Sequence, residues 1–222
     1  MKRIILTGGS DGLGKEFAKK CIKDGIEIIV LSRNKPDYPC IHVKTDLSIE
    51  KDLISACNYI KDNYDEFDAV VNCAGTISLE SIDSISYHDL DYVYKVNSMA
   101  PIFLISNLLP LIKKNGADIL NVTSITSTMF DISADAMTYS SSKSALRSAS
   151  IMLKKELDGY PSRVITFNPG GMNTGLVGKW NNDYSDMCKD WIDPVYVADI
   201  MKYVLSLPKQ IEISEITIDR KK

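Results

Sequence analysis

Short runs of Val, Ile and Leu alternate with longer amphipathic stretches along nearly the whole chain. No other feature narrows the choice of fold as much. Residues 4–6, 26–31, 41–43, 69–71, 119–122 and 164–167 read as buried strands, and 211–218, which alternates apolar and polar, as a last one. Between them, 13–23 sets Phe17, Ala18, Cys21 and Ile22 on one helical face, and Gly25 follows as the usual left-handed cap. Residues 49–64 align Leu53, Ala56, Cys57 and Ile60 in the same way. Further helices are expected near 86–94, 99–114 with Pro101 in the first turn, 139–157 and 195–205. Near-continuous apolar strands, each followed by a helix, predict a parallel sheet covered on both faces.

That is a Rossmann-like, doubly wound α/β fold of about seven strands. With 222 residues and 45% apolar content, a single domain spanning 1–222 can bury a full core without metal or disulfide staples. In such sheets ligands bind beyond the carboxyl ends of the strands. Segments 7–14 and 72–75, Ser124, and segment 169–174 all follow strands, so their chemistry should meet in one crevice.

Bulk properties exclude several classes. A net charge of −3 argues against a nucleic-acid binder, and Arg220-Lys221-Lys222 reads as a solvated tail. Five cysteines with no C-x-x-C spacing predict reduced thiols and a cytoplasmic protein. Neither His42 nor His88 has a partner at metal-ligand spacing, so no metal is expected. No run of about 18 apolar residues predicts a membrane span. The first residues resemble a signal peptide only as far as Thr7-Gly8-Gly9.

The glycine-rich stretch Thr7-Gly8-Gly9-Ser10-Asp11-Gly12-Leu13-Gly14-Lys15-Glu16 predicts a phosphate at a helix start. Gly9 to Lys15 fits part of a triphosphate loop, but that loop needs Ser or Thr after its lysine to ligate magnesium. Glu16 stands there instead. Gly8, Gly12 and Gly14 fit a dinucleotide turn, where the backbone must approach a pyrophosphate closely.

Five further motifs follow in order. They are Asn72-Cys73-Ala74-Gly75, Asn97 within Lys95-Val96-Asn97, Asn121-Val122-Thr123-Ser124, the pair Tyr139 and Lys143, and Pro169-Gly170 followed by Thr174. Together with the T-G-x-x-x-G-x-G pattern they resemble the short-chain dehydrogenase/reductase family in its ordinary single-domain form, over residues 1–219. The resemblance implies a hydride transfer between a nicotinamide and a small carbonyl or alcohol. Tyr139 would be the general acid/base, Lys143 would hold the ribose and lower the phenol's pKa, Ser124 would orient the reacting oxygen, and Asn97 would hold a relay water. The physics agrees: residues four apart share a helical face, and a nearby cation favours phenolate. Ser124 and Tyr139 are fifteen residues apart, about two more than the family leads one to expect; Ser127 stands at twelve. Ser124 is preferred because it ends the strand motif directly, and Thr126 and Ser127 join it as substrate contacts with Gly171.

The resemblance also distributes the cofactor contacts. Gly8, Ser10, Asp11, Gly12, Leu13 and Gly14 would face the pyrophosphate, and Asp46 and Leu47 the adenine. Asn72, Ala74, Gly75, Tyr139, Lys143, Pro169, Gly170, Met172 and Thr174 would line the nicotinamide half. Ser32 and Arg33 end the second strand where NAD sites usually place an acid, so NADP(H) is expected over NAD(H). The substrate wall is expected at 76–79, 125–130 and 171–173 and in a lid at 175–193 that carries Trp180, Tyr184, Met187 and Trp191. The sugar-nucleotide epimerase branch carries a larger substrate domain after the last strand and is not expected. A homodimer or homotetramer is expected by analogy. The competing readings are a non-catalytic cofactor-binding regulator or scaffold and, with Glu16 against it, a phosphoryl-transfer enzyme.

Overall fold

The computed structural model describes residues 1–128, 134–180 and 188–221. Seven strands form one parallel sheet: β1 (Arg3–Thr7), β2 (Glu27–Ser32), β3 (Ile41–Lys44), β4 (Ala69–Asn72), β5 (Asp118–Val122), β6 (Val164–Pro169) and β7 (Glu215–Ile218). Their order is β3-β2-β1-β4-β5-β6-β7. The chain winds outward from β1 to β3, then returns to place β4 against β1. That reversal opens a crevice at the carboxyl ends of β1 and β4, where this architecture binds ligands.

Alternation along the strands builds two cores. Ile4 and Leu6 point to one face with Ile28, Val30, Val71 and Phe167, and α1 (Gly12–Lys23) and α7 (Pro194–Ser206) cover them with Phe17, Ala18, Val197 and Met201. Ile5 points to the other face with Ile29, Leu31, Val70 and Ile119. There α2 (Glu50–Asn63) and α4 (Ala100–Asn115) supply Ala56, Ile60, Leu104, Leu108 and Ile112. Each such side chain taken fully from water contributes about 1.5–3 kcal/mol, which is why the strands hold so few polar residues.

Two elements differ from their expected bounds. The helices expected near 86–94 and 99–114 are one. α3 (Tyr87–Tyr94), a π-helical turn (Lys95–Met99) and α4 run on as a single 29-residue helix from Tyr87 to Asn115. Its length and average apolarity would suit a membrane span, although no unbroken apolar run exists, and its inner face fills the second core. Pro101 has no N–H, so the Asn97 carbonyl lacks its α-helical donor, and the backbone widens there instead of breaking. The last strand begins at Glu215 rather than 211. Ile211 is held out of the sheet: its N–H donates to the Pro208 carbonyl at 2.9 Å, and its own carbonyl accepts from Arg163 Nη1 at 3.0 Å.

At the opposite end of the sheet from the crevice, Asp118 and Arg163 pair at 2.6 Å with both side chains almost wholly buried. Lys209 Nζ adds a second cation 2.6 Å from Asp118 Oδ1. Arg163 Nη1 and Nη2 also donate to the carbonyls of Leu205, Pro208 and Ile211, so the ion pair anchors the segment between α7 and β7. The five cysteines stand as free thiols.

Candidate active site

The glycine loop leaves β1 and enters α1. Gly8 has φ 72°, and a β-carbon there would lie 2.6 Å from Ala74 Cα. A β-carbon on Gly14 would lie 2.4 Å from the Gly8 carbonyl oxygen, so α1 could not seat against the turn. Gly12 sits against Thr174, which brings the segment after β6 onto the loop. Asp11 caps α1 and accepts from the Gly12 N–H at 2.7 Å. Leu13 is buried in the first core, and Ser10 lies in the turn.

Thr7 locks this turn to the next one. Its hydroxyl oxygen accepts from the N–H groups of Cys73 and Ala74 at 3.1 and 3.2 Å. Tyr38, from the β2–β3 connection, donates its hydroxyl to the Gly9 carbonyl, and Lys15 pairs with Asp37 of the same connection at 2.7 Å. Lys15 therefore braces that connection. Glu16 lies 3.6 Å from Lys19 on the outside of α1.

At the end of β2, Ser32 donates to the Asn34 carbonyl at 2.8 Å, while Arg33 is exposed and reaches the Tyr92 hydroxyl of α3 at 3.0 Å. Asp46 turns its carboxylate to Ser48, accepting from its N–H at 2.9 Å and its hydroxyl at 2.7 Å. Leu47 is buried with Leu53 and Ala100, between α2 and α4. Asn72 ends β4. Its side chain is buried and donates to Asn121 Oδ1 at 2.8 Å, lacing β4 to β5.

The long helix α5 (Met137–Glu156) carries Tyr139 and Lys143 one turn apart. Lys143 is 3% exposed, and its Nζ donates to the Val122 carbonyl at 2.9 Å, two residues before Ser124. Burial pulls the ammonium from 10.5 down to about 8, partly opposed by the Cys73 thiol. That thiol is itself pushed up to about 12 by burial. Tyr139 is raised above its usual value by burial, against a hydrogen bond from Ser124 that lowers it. Around Tyr139 burial is the larger influence and the Ser124 hydrogen bond the smaller. The Lys143 ammonium is turned to Val122.

Ser124 also opens the turn Ile125–Ser127, with its hydroxyl accepting from the Thr126 N–H at 3.2 Å. Ser127 bends back, donating its hydroxyl to the Ser124 carbonyl at 2.6 Å. Asn97 is fully buried. Its side chain accepts from the Thr76 N–H at 2.9 Å, and donates to the Thr76 carbonyl at 2.8 Å and to Ser142 Oγ at 3.0 Å. Ser142 donates in turn to the Tyr139 carbonyl at 2.7 Å. A β-carbon on Gly75 would lie 3.4 Å from Lys143 Nζ and 3.6 Å from Asn97 Oδ1, so these groups meet over a bare backbone.

Across the crevice, Pro169 pairs with Ile218, and the Gly170 N–H donates to the Ile218 carbonyl at 2.7 Å. Gly171 lies under the Trp191 ring, and Met172 bridges to Ile192. The Arg220 guanidinium stacks 5.3 Å from the centre of the Trp191 ring, so one residue of the supposed solvated tail packs beside the site. Of the expected lid, residues 181–187, with Tyr184 and Met187, lie outside the described residues, as do 129–133 of the loop before Tyr139. Residues 176–180 form the short helix α6 (Leu176–Trp180). Thr7, Tyr38 and Ser142 were not singled out from the sequence. They act by bracing backbone and carry no motif of their own, although Thr7 heads the glycine pattern.

A parallel sheet whose switch point holds a glycine cradle, with Ser, Tyr, Lys and Asn gathered beside it, defines a dinucleotide-type α/β protein. The short chain dehydrogenase profile matches residues 2–185, and the chain belongs to that family of oxidoreductases. An uncharacterized oxidoreductase of Staphylococcus epidermidis is 25% identical over 227 residues, covering 98% of this chain and 96% of that protein. The closed form of a serine dehydrogenase complexed with NADP+ superimposes with a TM-score of 0.88 at 18% identity, covering 97% of this chain and 94% of that one. A 4-hydroxyisoleucine dehydrogenase complexed with NADH gives 0.85 at 23% identity, covering 99% and 97%. At these identities both structures speak for the fold.

Proposed function

We propose that the protein reduces a carbonyl, or oxidises the matching alcohol, with NADP(H) preferred over NAD(H). The observation that carries this reading is the meeting of Ser124, Tyr139, Lys143 and Asn97 beside the glycine cradle. The cradle fits a dinucleotide: at Gly8 and Gly14 a side chain would strike the backbone, and the bare turn is what a pyrophosphate needs. Ser10, Asp11, Gly12 and Leu13 would hold the pyrophosphate, Ser32 and Arg33 the 2′-phosphate, and Leu47 the adenine. Ala74, Gly75, Lys143, Pro169, Gly170, Met172 and Thr174 would border the nicotinamide riboside. Bound there, the nicotinamide exchanges the hydride.

Tyr139 then handles the proton. The phenol is protonated at neutral pH and can donate to the carbonyl oxygen, but the burial that raises its pKa makes it a weaker acid until a nearby cation favours phenolate. Ser124 orients the carbonyl oxygen, and Lys143 holds the ribose and favours phenolate during turnover. The Asn97 amide is occupied by Thr76 and Ser142, so the relay water falls to its main-chain carbonyl, which Pro101 leaves without an α-helical donor. The serine dehydrogenase complex with NADP+ and the 4-hydroxyisoleucine dehydrogenase complex with NADH support a nicotinamide without choosing between the two. Arg33 and the missing acid at the end of β2 support NADP(H).

The test is NADPH oxidation across aldehydes, ketones, keto-sugars and quinones, repeated with Tyr139→Phe. Turnover should fall by about 10²- to 10⁴-fold with cofactor binding retained. Unchanged turnover would overturn the reading. Tight NADPH binding with no turnover of any carbonyl would point to a regulator instead.

A further inference from the structure

Six buried side-chain polar atoms among the described residues have no hydrogen-bond partner, and five belong to the segments around Ser124 and Tyr139. They are Ser78 Oγ, Glu80 Oε2, Thr126 Oγ1, Asp135 Oδ1 and Thr138 Oγ1. The segments touch. The Glu80 N–H donates to the Asp135 carbonyl at 2.9 Å, and Asp135 stands one turn before Thr138 at the entry to α5. Thr126 lies in the turn that Ser124 opens, and Thr138 immediately precedes Tyr139. Ser78 and Thr138 are 3% and 2% exposed, so bulk water does not satisfy them.

Each such orphan costs about 1–3 kcal/mol, and buried polar groups in folded proteins are otherwise almost always paired. Five on segments that pack against one another beside Ser124 and Tyr139 call for partners. Their chemistry says what kind. Two are carboxylate oxygens, which when ionised only accept, and neither carboxylate pairs with a cation among the described residues. The three hydroxyls accept as well as donate. The partner must therefore bring proton donors.

We propose that Glu80 and Asp135, with Ser78, Thr126 and Thr138, form a substrate subsite. The substrate is then a small alcohol, or its carbonyl, bearing a further donor group: an ammonium or additional hydroxyls. This rests on the reading of Ser124 and Tyr139 as the reacting centre.

The experiment compares three groups of alcohols of matched size with the wild-type enzyme and oxidised cofactor. Hydroxy amino acids and amino alcohols carry an ammonium, vicinal diols and aldoses carry hydroxyls, and simple secondary alcohols carry neither. The expected kcat/KM for at least one donor-bearing group exceeds that of simple alcohols by about tenfold or more, because a site built to hydrogen-bond a donor rejects the analogue that lacks it. The double variant Glu80→Gln with Asp135→Asn keeps shape and acceptors but removes charge. It should abolish the preference for an ammonium and only reduce a preference for hydroxyls, which tells the two donors apart.

Two results overturn the proposal: a preference for simple alcohols, or an undiminished preference for donors in the double variant. The second, with a raised melting temperature, would mark the carboxylates as strained structural groups. If no alcohol is turned over and Tyr139→Phe changes nothing, the underlying reading falls, and the subsite with it.

Discussion

Lys143 shows what burial does to a single group at this site. It is 3% exposed, and desolvation lowers its pKa from 10.5 to about 8. Between those values the unfolded chain holds a proton that the folded chain has released, so stability rises with pH across that window. Tyr139 acts in the opposite sense above its ordinary value of 10.0, because the folded phenol keeps a proton that the unfolded one loses. Melting curves between pH 8 and 10 should therefore show wild type gaining stability relative to Lys143→Met. Parallel pH profiles would contradict the burial argument. The sequence placed Tyr139 and Lys143 on one helical face because spacing alone decides that. It could not show Nζ turned to Val122, because the carbonyl lies 21 residues away on another element. For the same reason it could not show how Asn72 is held. Its engagement with Asn121 depends on β4 lying beside β5.

Among the elements, the π-helical turn and the β2–β3 connection matter most. The motif around Asn97 was legible, but the gap read between two helices was not a gap. A proline four residues on removes one donor without breaking an element packed along its length, so the helix widened. In the β2–β3 connection, Tyr38 and Asp37 tie the chain to the glycine turn and to α1, and Arg33 reaches across to Tyr92. Arg33 is thus tethered from the end of β2 to α3. Arg33→Ala should raise the KM for NADPH by about 10- to 100-fold, as expected when a hydrogen bond to a charged group worth about 1.5–3 kcal/mol is lost. The KM for NADH should stay within about twofold. Equal effects on the two cofactors would refute the assignment of the 2′-phosphate to Arg33.

For the molecule as a whole, the sheet order and the buried ion pair do the positioning. The site draws on the ends of β1, β2, β4, β5 and β6, and it exists because β4 returns to the side of β1. The Asp118–Arg163–Lys209 cluster holds the far end of the sheet and the return to β7, whose carboxyl end meets Gly170. Arg163→Met would leave Asp118 buried with only the half-exposed Lys209 as a cation partner. Removing one member of a buried pair costs about 3–5 kcal/mol, and urea denaturation should show a loss of that order. The activity of the folded fraction should be retained, since the cluster lies at the opposite end from the crevice. A loss under about 1 kcal/mol would mean that the pair is replaceable packing.

By itself the sequence determined the alternation of strands and helices, the parallel sheet and the glycine turn, and it named the four residues proposed for the reacting centre. Those follow from local spacing, from apolar periodicity and from where glycine is needed. Only the tertiary structure decided that Asn97 clamps Thr76, that Thr7 joins two turns, that Arg220 stacks on Trp191, and that acceptors without partners gather around Glu80 and Asp135. Each of those depends on which strands lie side by side and on how much water is excluded between them. No local pattern records either.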